Sequence, residues 1–534
     1  MTEYLYPGVY IEEVGASPAP IEGVGTSTAG FVGLTERGPT EPRLITSWFD
    51  FERWYGGMAD PGTHSYLPFA ARGFFENGGR RVHVARVHRS DAGASTITLP
   101  TGAGNLVLIA LGVGDLNNRI FAWVGPATST DPDRFRLILL YYRSVPGVLP
   151  LVDPLNPANA AHPDRVEPDL VEDFDDLETN GDPATATLNK STLMTGVFGP
   201  AIPSATGIDN SGNRIYLAAA GGSDGVEALT LNDFTGIPST PTTPGTGLNG
   251  LAAIDEISLL SVPEEGHDGI AATVRAEIRE AVVFQCEQMK DRFGILQLTR
   301  DAGNGIPENV TAPVNTSYAA VYYPWVRVLD PLTDETYLVP PGGHIAGVYA
   351  RTDAELGVHK APANEVVRGI IDDDLPGGLG PLAVTVTKVQ HDILNSRGVN
   401  VIRDFRPHQR GVRVWGARTL STDVEWKYIT VRRLLIFLEE SIDKGTRWAV
   451  FEPNDEPAWA RIRNEVYNFL TTVWRTGALM GAKTEEAFFV KCDVTTMTQD
   501  DLDQGRLVGI VGVAPIRPAE FIVFRFSQKT LEAP

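Results

Sequence analysis

Tyr6-Pro-Gly-Val-Tyr-Ile-Glu-Glu-Val14 reads as one short strand, with Val9 and Ile11 on one face and Tyr10, Glu12 and Val14 on the other. Gly15-Ala-Ser-Pro-Ala-Pro20 follows it, a run that interrupts regular structure and can act as a hinge. A lone strand on a hinge is not stable in water. It has to be completed by a sheet, either of its own chain or of a neighbour. The other end has the same texture. Arg506–Val513 and Glu520–Phe526 are extended, alternating segments split by Pro515 and Pro518. Both ends are therefore read as strand-exchange arms, residues 1–22 and 506–534. Val9, Tyr10, Ile11, Val14, Phe521, Val523, Phe524 and Phe526 are their candidate linking side chains. In strand addition, backbone hydrogen bonds supply affinity and side-chain pockets supply register. An arm of one subunit in the sheet of the next is a heterologous contact, which builds open helical polymers rather than closed dimers.

Working inward, residues 23–90 and 251–388 have the pattern of one α/β domain. Ala29–Leu34 and Arg81–Val87 are expected as strands, and Ser47–Tyr55 and Ser65–Glu76 as helices, the second ended by Asn77-Gly-Gly79. Ile257–Val262, Gly294–Leu298 and Ala319–Val328 are further expected strands. Asp268–Lys290 is an expected helix, with Ile270, Val274, Ile278, Val282 and Met289 near one face. Residues 91–250 form an insertion rich in proline and glycine. It is read as mainly β and facing water, with strands at Ile97–Leu99, Leu106–Leu111, Phe121–Val124 and Arg136–Tyr142. Its segment 163–182 carries nine acidic side chains and one basic one and is read as a solvated loop. Pro238–Gly247 reads as a linker.

Residues 389–505 look like a last α/β domain. It has a strand at Val412–Trp415 and a Thr422/Glu425 capping box ahead of a helix to Asp443, with Gly445 just past its end. A strand at Trp448–Phe451 follows, then a helix with Pro457 in its first turn, then a strand at Ala487–Cys492. The expected fold class is thus α+β/α/β and multidomain.

The chain has 534 residues and a net charge of −22. Such a surface argues against general nucleic-acid binding, which needs cations to displace phosphate counterions. The first ten residues lack a basic start and an apolar stretch, so export by a leader is not expected. No apolar run approaches the ~18 residues that would span a bilayer. Cys286 and Cys492 lie far apart, without disulfide or zinc spacing, and read as small buried apolar residues.

Motifs for chemistry are weak. Gly477-Ala-Leu-Met-Gly-Ala-Lys-Thr484 approaches a phosphate-binding loop through Lys483 and Thr484. Ala482, however, replaces the second glycine, and the order is helix then strand, the reverse of what a phosphate cradle needs. Gly25-Thr-Ser-Thr-Ala29 departs from a nucleophile elbow at Ala29, and no strand leads into Ser27. Asp372, Asp373 and Asp374 lack the spacing of a calcium loop and read as a solvated turn. His83 and His88 have no matching ligands. No cofactor, metal or catalytic residue is expected. Between Arg397 and Arg433 nine basic residues face three acidic ones. Three readings stand for that stretch: a salt-bridged surface, a face for an acidic partner, or, with little aromatic interleaving, nucleic acid.

Several stretches together resemble the phage tail sheath family, the sheath subunits of contractile tails and contractile injection systems. They are Tyr6–Val14, Phe31-Val-Gly-Leu-Thr-Glu-Arg-Gly-Pro39, Phe74-Phe-Glu-Asn-Gly-Gly79, Pro340-Pro-Gly-Gly-His-Ile-Ala-Gly-Val-Tyr-Ala-Arg-Thr-Asp353, Gly357–Asn364, Val412–Leu420, Lys427–Leu434 and Phe437–Ser441. The resemblance covers 1–90 and 251–534; the insertion matches nothing.

It implies a structural subunit rather than an enzyme. Such a subunit forms a homo-oligomer of hexameric rings stacked into a helical sheath around an inner tube protein, with a baseplate, a terminal cap and a place for paralogous sheath subunits. It further implies assembly in a bacterial cytoplasm, a C-terminal domain facing the tube, and no direct membrane insertion. On that footing Arg413, Arg418, Lys427, Arg432 and Arg433 are the candidate tube-facing residues. Two other classes remain as alternatives: an NTPase acting through Lys483 and Thr484, and a passive non-contractile shell or adhesin.

Overall fold

The computed structural model describes residues 20–58, 65–101, 104–129, 131, 133–144, 146–178, 188, 190–196, 202–330, 333–371 and 380–523. Its contacts divide the chain into two compact units. One comprises 25–433 with 518–523; the other comprises 434–517 with 20–24.

The larger unit is built on an eight-stranded sheet. Six strands run parallel in the spatial order Val82–Val87, Ala29–Leu34, Leu259–Ser261, Phe293–Leu296, Ala319–Tyr323 and Val399–Asp404. Arg43–Ile45 and Val412–Val414 close the two edges antiparallel. The parallel strands are near-continuous apolar runs, because helices cover both faces of such a sheet. Val82–Val87 shows what this demands of polar residues. Its alternation suggests one wet face, yet all six residues are buried. His83 meets Glu256, and Arg86 donates to the carbonyls of Gly38, Val113 and Thr35.

The helices fall where the sequence places them, give or take their ends. Trp48–Tyr55 is capped by Ser47, whose hydroxyl accepts from Asp50 N at 3.1 Å. Ala272–Met289 buries Ile278, Val282, Gln285 and Cys286. Leu67–Glu76 packs on Gly342–Leu356 at very short range: a Cβ on Gly343 or Gly347 would run into the backbone of Ala70 or Phe74. The glycines of the Pro340–Asp353 stretch are thus a packing requirement.

Four expectations fail. Ala319–Val328 is two strands, Ala319–Tyr323 in the large sheet and Val326–Asp330 in a hairpin with Glu335–Val339. Pro324 separates them, as a residue that cannot donate to a central ladder must. The acidic segment is not all loop: Leu170–Glu178 is a strand beside Arg134–Tyr141. Arg136 Nε donates to Asp173 at 2.8 Å, and Arg134 pairs with Glu178. Glu172 is buried and accepts from Ser191, Thr192 N and Thr192 Oγ1. Thr422 caps nothing; its N and Oγ1 reach Asn315 Oδ1, and the helix starts at Ile429. That helix runs to Thr446, so Gly445 lies inside it.

In the stretch 91–250, Ile120–Pro126 and Arg134–Tyr141 form a four-stranded antiparallel sheet with Leu170–Glu178 and Leu217–Ala218. Thr96–Thr101, Gly104–Ala110 and Met194–Gly196 form a second sheet. The two share one apolar core that includes Leu99, Leu108, Val124, Leu137 and Leu139.

The smaller unit centres on Glu456–Arg475, a helix with Asp455 as its cap, Pro457 in its first turn, and Val466, Phe469, Leu470 and Val473 buried. Trp448 is not in a strand. Arg447–Ala449 is a 3-10 turn, and the Trp448 indole donates to Glu465 at 2.8 Å. Phe488–Lys491 pairs antiparallel with Ile510–Val513.

Candidate functional site

The expected arms come first. Val9, Tyr10, Ile11, Val14, Phe524 and Phe526 lie outside the described residues. Part of the expected C-terminal arm is paired within the chain. Ile510–Val513 is already committed to its own chain, in register Phe488↔Val513 through Lys491↔Ile510. An alternating strand next to a free partner strand pairs locally before it can reach elsewhere.

Among the described residues this sheet has only two strands. Phe488 is buried and meets the Tyr467 ring at 5.2 Å, whereas Phe489, Ile510 and Val511 stay 41–50% exposed. Two strands give too little cross-strand pairing to stand alone, and their unpaired edge groups are a template for further strands.

Beyond Pro518 the chain is tied down at a single carboxylate. Arg418 donates through Nε to Glu520 Oε1 and through Nη2 to Oε2, each at 2.6 Å. Asn395 Nδ2 reaches Oε1 at 3.1 Å, Tyr428 OH reaches Oε2 at 3.4 Å, and Lys427 Nζ lies 3.6 Å away. Partial burial pushes the Glu520 carboxyl up. The hydrogen bonds of Arg418 and Asn395, with the charges of Arg418 and Lys427, outweigh that and hold it below the usual carboxylate range. Immediately after this clasp, Phe521, Ile522 and Val523 are each more than 70% exposed.

The basic stretch divides in two, and most of the expected tube-facing set turns inward. Arg433 is buried, paired with Asp353 at 2.6 and 2.9 Å and bonded to Thr26 O at 2.9 Å. Arg432 is buried too. Its guanidinium lies 3.7 Å from the Trp426 ring centre and 4.3 Å from that of Tyr318, and it donates to Ser317 Oγ. Arg418 is spent on Glu520. All three guanidiniums are thus buried and engaged inside the chain, as a buried charge requires. Arg413 and Lys427 keep partial exposure.

The nucleotide reading fails on geometry. Lys483 precedes a single helical turn, Thr484–Ala487, which leads into the strand Phe488–Lys491. Glu486 already accepts from Ala482 N at 2.9 Å, placing a carboxylate where a phosphate would need a free amide. Ser27 precedes its strand instead of following one. Asp372–Asp374 lie outside the described residues. Among the described residues no group of three or more His, Cys, Asp or Glu could hold a metal, and no helix is long and apolar enough to cross a membrane. Cys286 and Cys492 are buried, and burial pushes the Cys286 thiol up to about 12.

A feature the sequence does not announce fills the place where a doubly wound sheet usually holds a ligand. Strand order reverses between Ala29–Leu34 and Leu259–Ser261, and the crevice at their carboxyl ends is the usual binding position. Glu264 occupies it. Its carboxylate accepts from Leu34 N, Leu67 N and Ser65 Oγ, and a Cβ on Gly33 would overlap it. Burial pushes its carboxyl up to about 7, against the pull of these donors. Next to it, Glu265 pairs with Arg279 and accepts from Gln297 N, and Gln297 in turn bonds Ser261 and Gly342 N.

Glu264 and its partners in the crevice, with apolar side chains exposed on the two-stranded sheet and beyond Glu520, are the features of a structural subunit. Two family models match end to end. The phage tail sheath protein central domain matches residues 245–420, and the phage tail sheath C-terminal domain matches residues 421–529, together more than half of the chain. The chain belongs to the phage tail sheath family, the structural sheath subunits of contractile phage-tail-like injection systems.

A chain of Pseudomonas aeruginosa (strain UCBPP-PA14) named as a prophage major tail sheath protein is 26% identical over 371 residues, 66% of this chain and 88% of that one. The anti-feeding prophage helical sheath in its contracted state is similar at TM-score 0.57 and 25% identity, over 98% of this chain and 99% of that one. A chain of the anti-feeding prophage baseplate is similar at TM-score 0.53 and 25% identity, over 99% and 100%.

Proposed function

We propose that this chain polymerises as hexameric rings stacked around an inner tube, between a baseplate and a terminal cap, and contracts to drive the tube through a target envelope. The work is stored at assembly and needs no catalysis. The N-terminal arm and the tail beyond Glu520 each add a strand to the two-stranded sheet of a neighbouring subunit. Residues 1–22 and the segment beyond Glu520 are then the linking arms, 91–250 lies outward, and the C-terminal domain faces the tube.

The observation that carries this reading is the pairing of donor and acceptor in one chain. Among the described residues the sheet Phe488–Lys491/Ile510–Val513 has two strands and leaves Phe489, Ile510 and Val511 exposed, and Phe521–Val523 follows the Glu520 clasp as an exposed apolar segment. Hinged arms let rigid bodies slide while staying linked, which contraction without dissociation requires.

Deleting residues 1–20 should leave a folded monomer. Long sheaths from that variant would count decisively against the arm. Negative-stain imaging of the intact chain should show tubes of stacked rings with two diameters. A single diameter under every condition would instead favour a passive shell.

A further inference from the structure

The exposed remainder of the basic stretch is a compact platform. Val399–Asp404 and Val412–Val414 pair so that Arg403 stands directly opposite Arg413. Like charges in directly opposed cross-strand positions cost stability, and an anionic partner laid across them would relieve that cost. The same hairpin carries Phe405 and Trp415, with ring centres 4.6 Å apart. Arg403 lies 5.1 Å over the Phe405 ring, and exposed Arg410 lies 5.8 Å from both rings. The hairpin's own acid, Asp404, is saturated by Arg406. Among the described residues Arg413 bonds only to the carbonyls of Arg410 and Asn364, which carry no charge to offset its own.

The complementary surface exists on the same unit. Ala272–Met289 turns Phe284 outward, 64% exposed, with Glu277, Glu280 and Glu287 exposed around it at helical spacing. The helix's arginines do not offset them: Arg275 turns to Asp268 and Arg279 to buried Glu265. In a chain of net charge −22, association of copies needs such a local match of opposite fields.

We infer that the Arg403–Arg410–Arg413 platform docks on the Phe284 face of a second copy of this chain, as a heterologous contact separate from the arms. The occupant is a second copy because platform and acidic face match in charge and each centres on an aromatic. Two different patches of one chain also generate a ring or a helix, whereas a patch meeting itself does not. The contact rests on the polymer reading above and deepens it.

Charge reversal tests it on the full chain. Arg403→Glu/Arg410→Glu/Arg413→Glu and, separately, Glu277→Lys/Glu280→Lys/Glu287→Lys should each shorten sheaths at least tenfold in electron micrographs. Mixing the two variants one to one should restore length, because each then offers what the other lacks. The neutral triple change of the arginines to Gln, safer for folding, should weaken association and reduce its dependence on salt. Full-length sheaths from the arginine reversal, or no rescue on mixing two variants that melt as the parent does, would overturn the inference. So would normal sheaths that have merely lost the tube, which would assign the platform to the tube. Failure of the intact chain to form tubes at all would strike the polymer reading instead.

Discussion

Arg433 and Asp353 meet as a two-pronged ion pair, 80 residues apart in sequence, with each side chain only 3% exposed. Burial alone would lower the guanidinium's proton affinity. The carboxylate beside it reverses that and raises it. The pair fastens the start of the helix Ile429–Thr446 to the helix Gly342–Leu356, and Arg433 also holds the carbonyl of Thr26 at the entry to the first strand.

Breaking this pair one-sidedly leaves a buried charge without a partner. Arg433→Met should cost about 3–5 kcal/mol, read as a shift of the urea midpoint with an unchanged slope. Arg433→Met together with Asp353→Leu should recover most of the loss. A loss of sheath assembly in Arg433→Glu would therefore report misfolding rather than a lost tube contact.

Glu264 makes an unusual pH dependence. Its folded carboxyl sits at about 7 against an ordinary 4.5, so the folded state holds a proton there that the unfolded state has released. Stability should therefore fall as pH rises from about 4.5 to 7, by about 3 kcal/mol if nothing else titrates. Glu264→Gln keeps acceptors for Leu34 N and Leu67 N and removes the titration. Its chemical-denaturation curve should be flatter across this window than the parent's and should lie above it at pH 8.

Glu520 has the opposite sign. Its carboxyl is held below the ordinary value, so its stabilising effect is complete above about pH 4.5 and is lost as pH falls through the lowered folded value. Glu520→Gln should mimic that loss at neutral pH. Hydrogen exchange at 518–520 should accelerate, and sheaths should be shorter. Unchanged exchange there would show that Arg418 and Lys427 do not hold the root of the arm.

Lys483 is exposed and precedes only one helical turn. Lys483→Ala should move stability by no more than about 0.5 kcal/mol. It should leave sheath formation intact and change nothing in a nucleotide-hydrolysis assay.

Local signals made much of this chain legible. Ser47 and Pro457 mark helix starts, the first because its side chain caps an orphan amide, the second because its fixed φ suits a first turn. Ala29–Leu34 and Phe293–Leu296 read as strands because both faces are buried. What failed depends on partners distant in sequence. Leu170–Glu178 looks like solvated acid until Arg134 and Arg136 stand opposite it, and that register is invisible from either segment alone. Arg418, Arg432 and Arg433 look like a surface patch. Their partners Glu520, the Trp426–Tyr318 pair and Asp353 turn them inward, and of these only Trp426 lies close by in sequence. Glu520 had one faint signal, as the sole acid between Pro518 and Phe526. Glu264 had none, because its role follows from where the strand order reverses.

The sealing of that reversal point by Glu264, Glu265 and Gln297 bears on mechanics. In an open sheet of this kind the crevice is the softest line, where two halves can breathe around a guest. Here hydrogen-bonded side chains stitch three neighbouring strands across it. Side chains bonded across that line stiffen the plate there, so on the polymer reading proposed above compliance would fall to the arms rather than to this sheet.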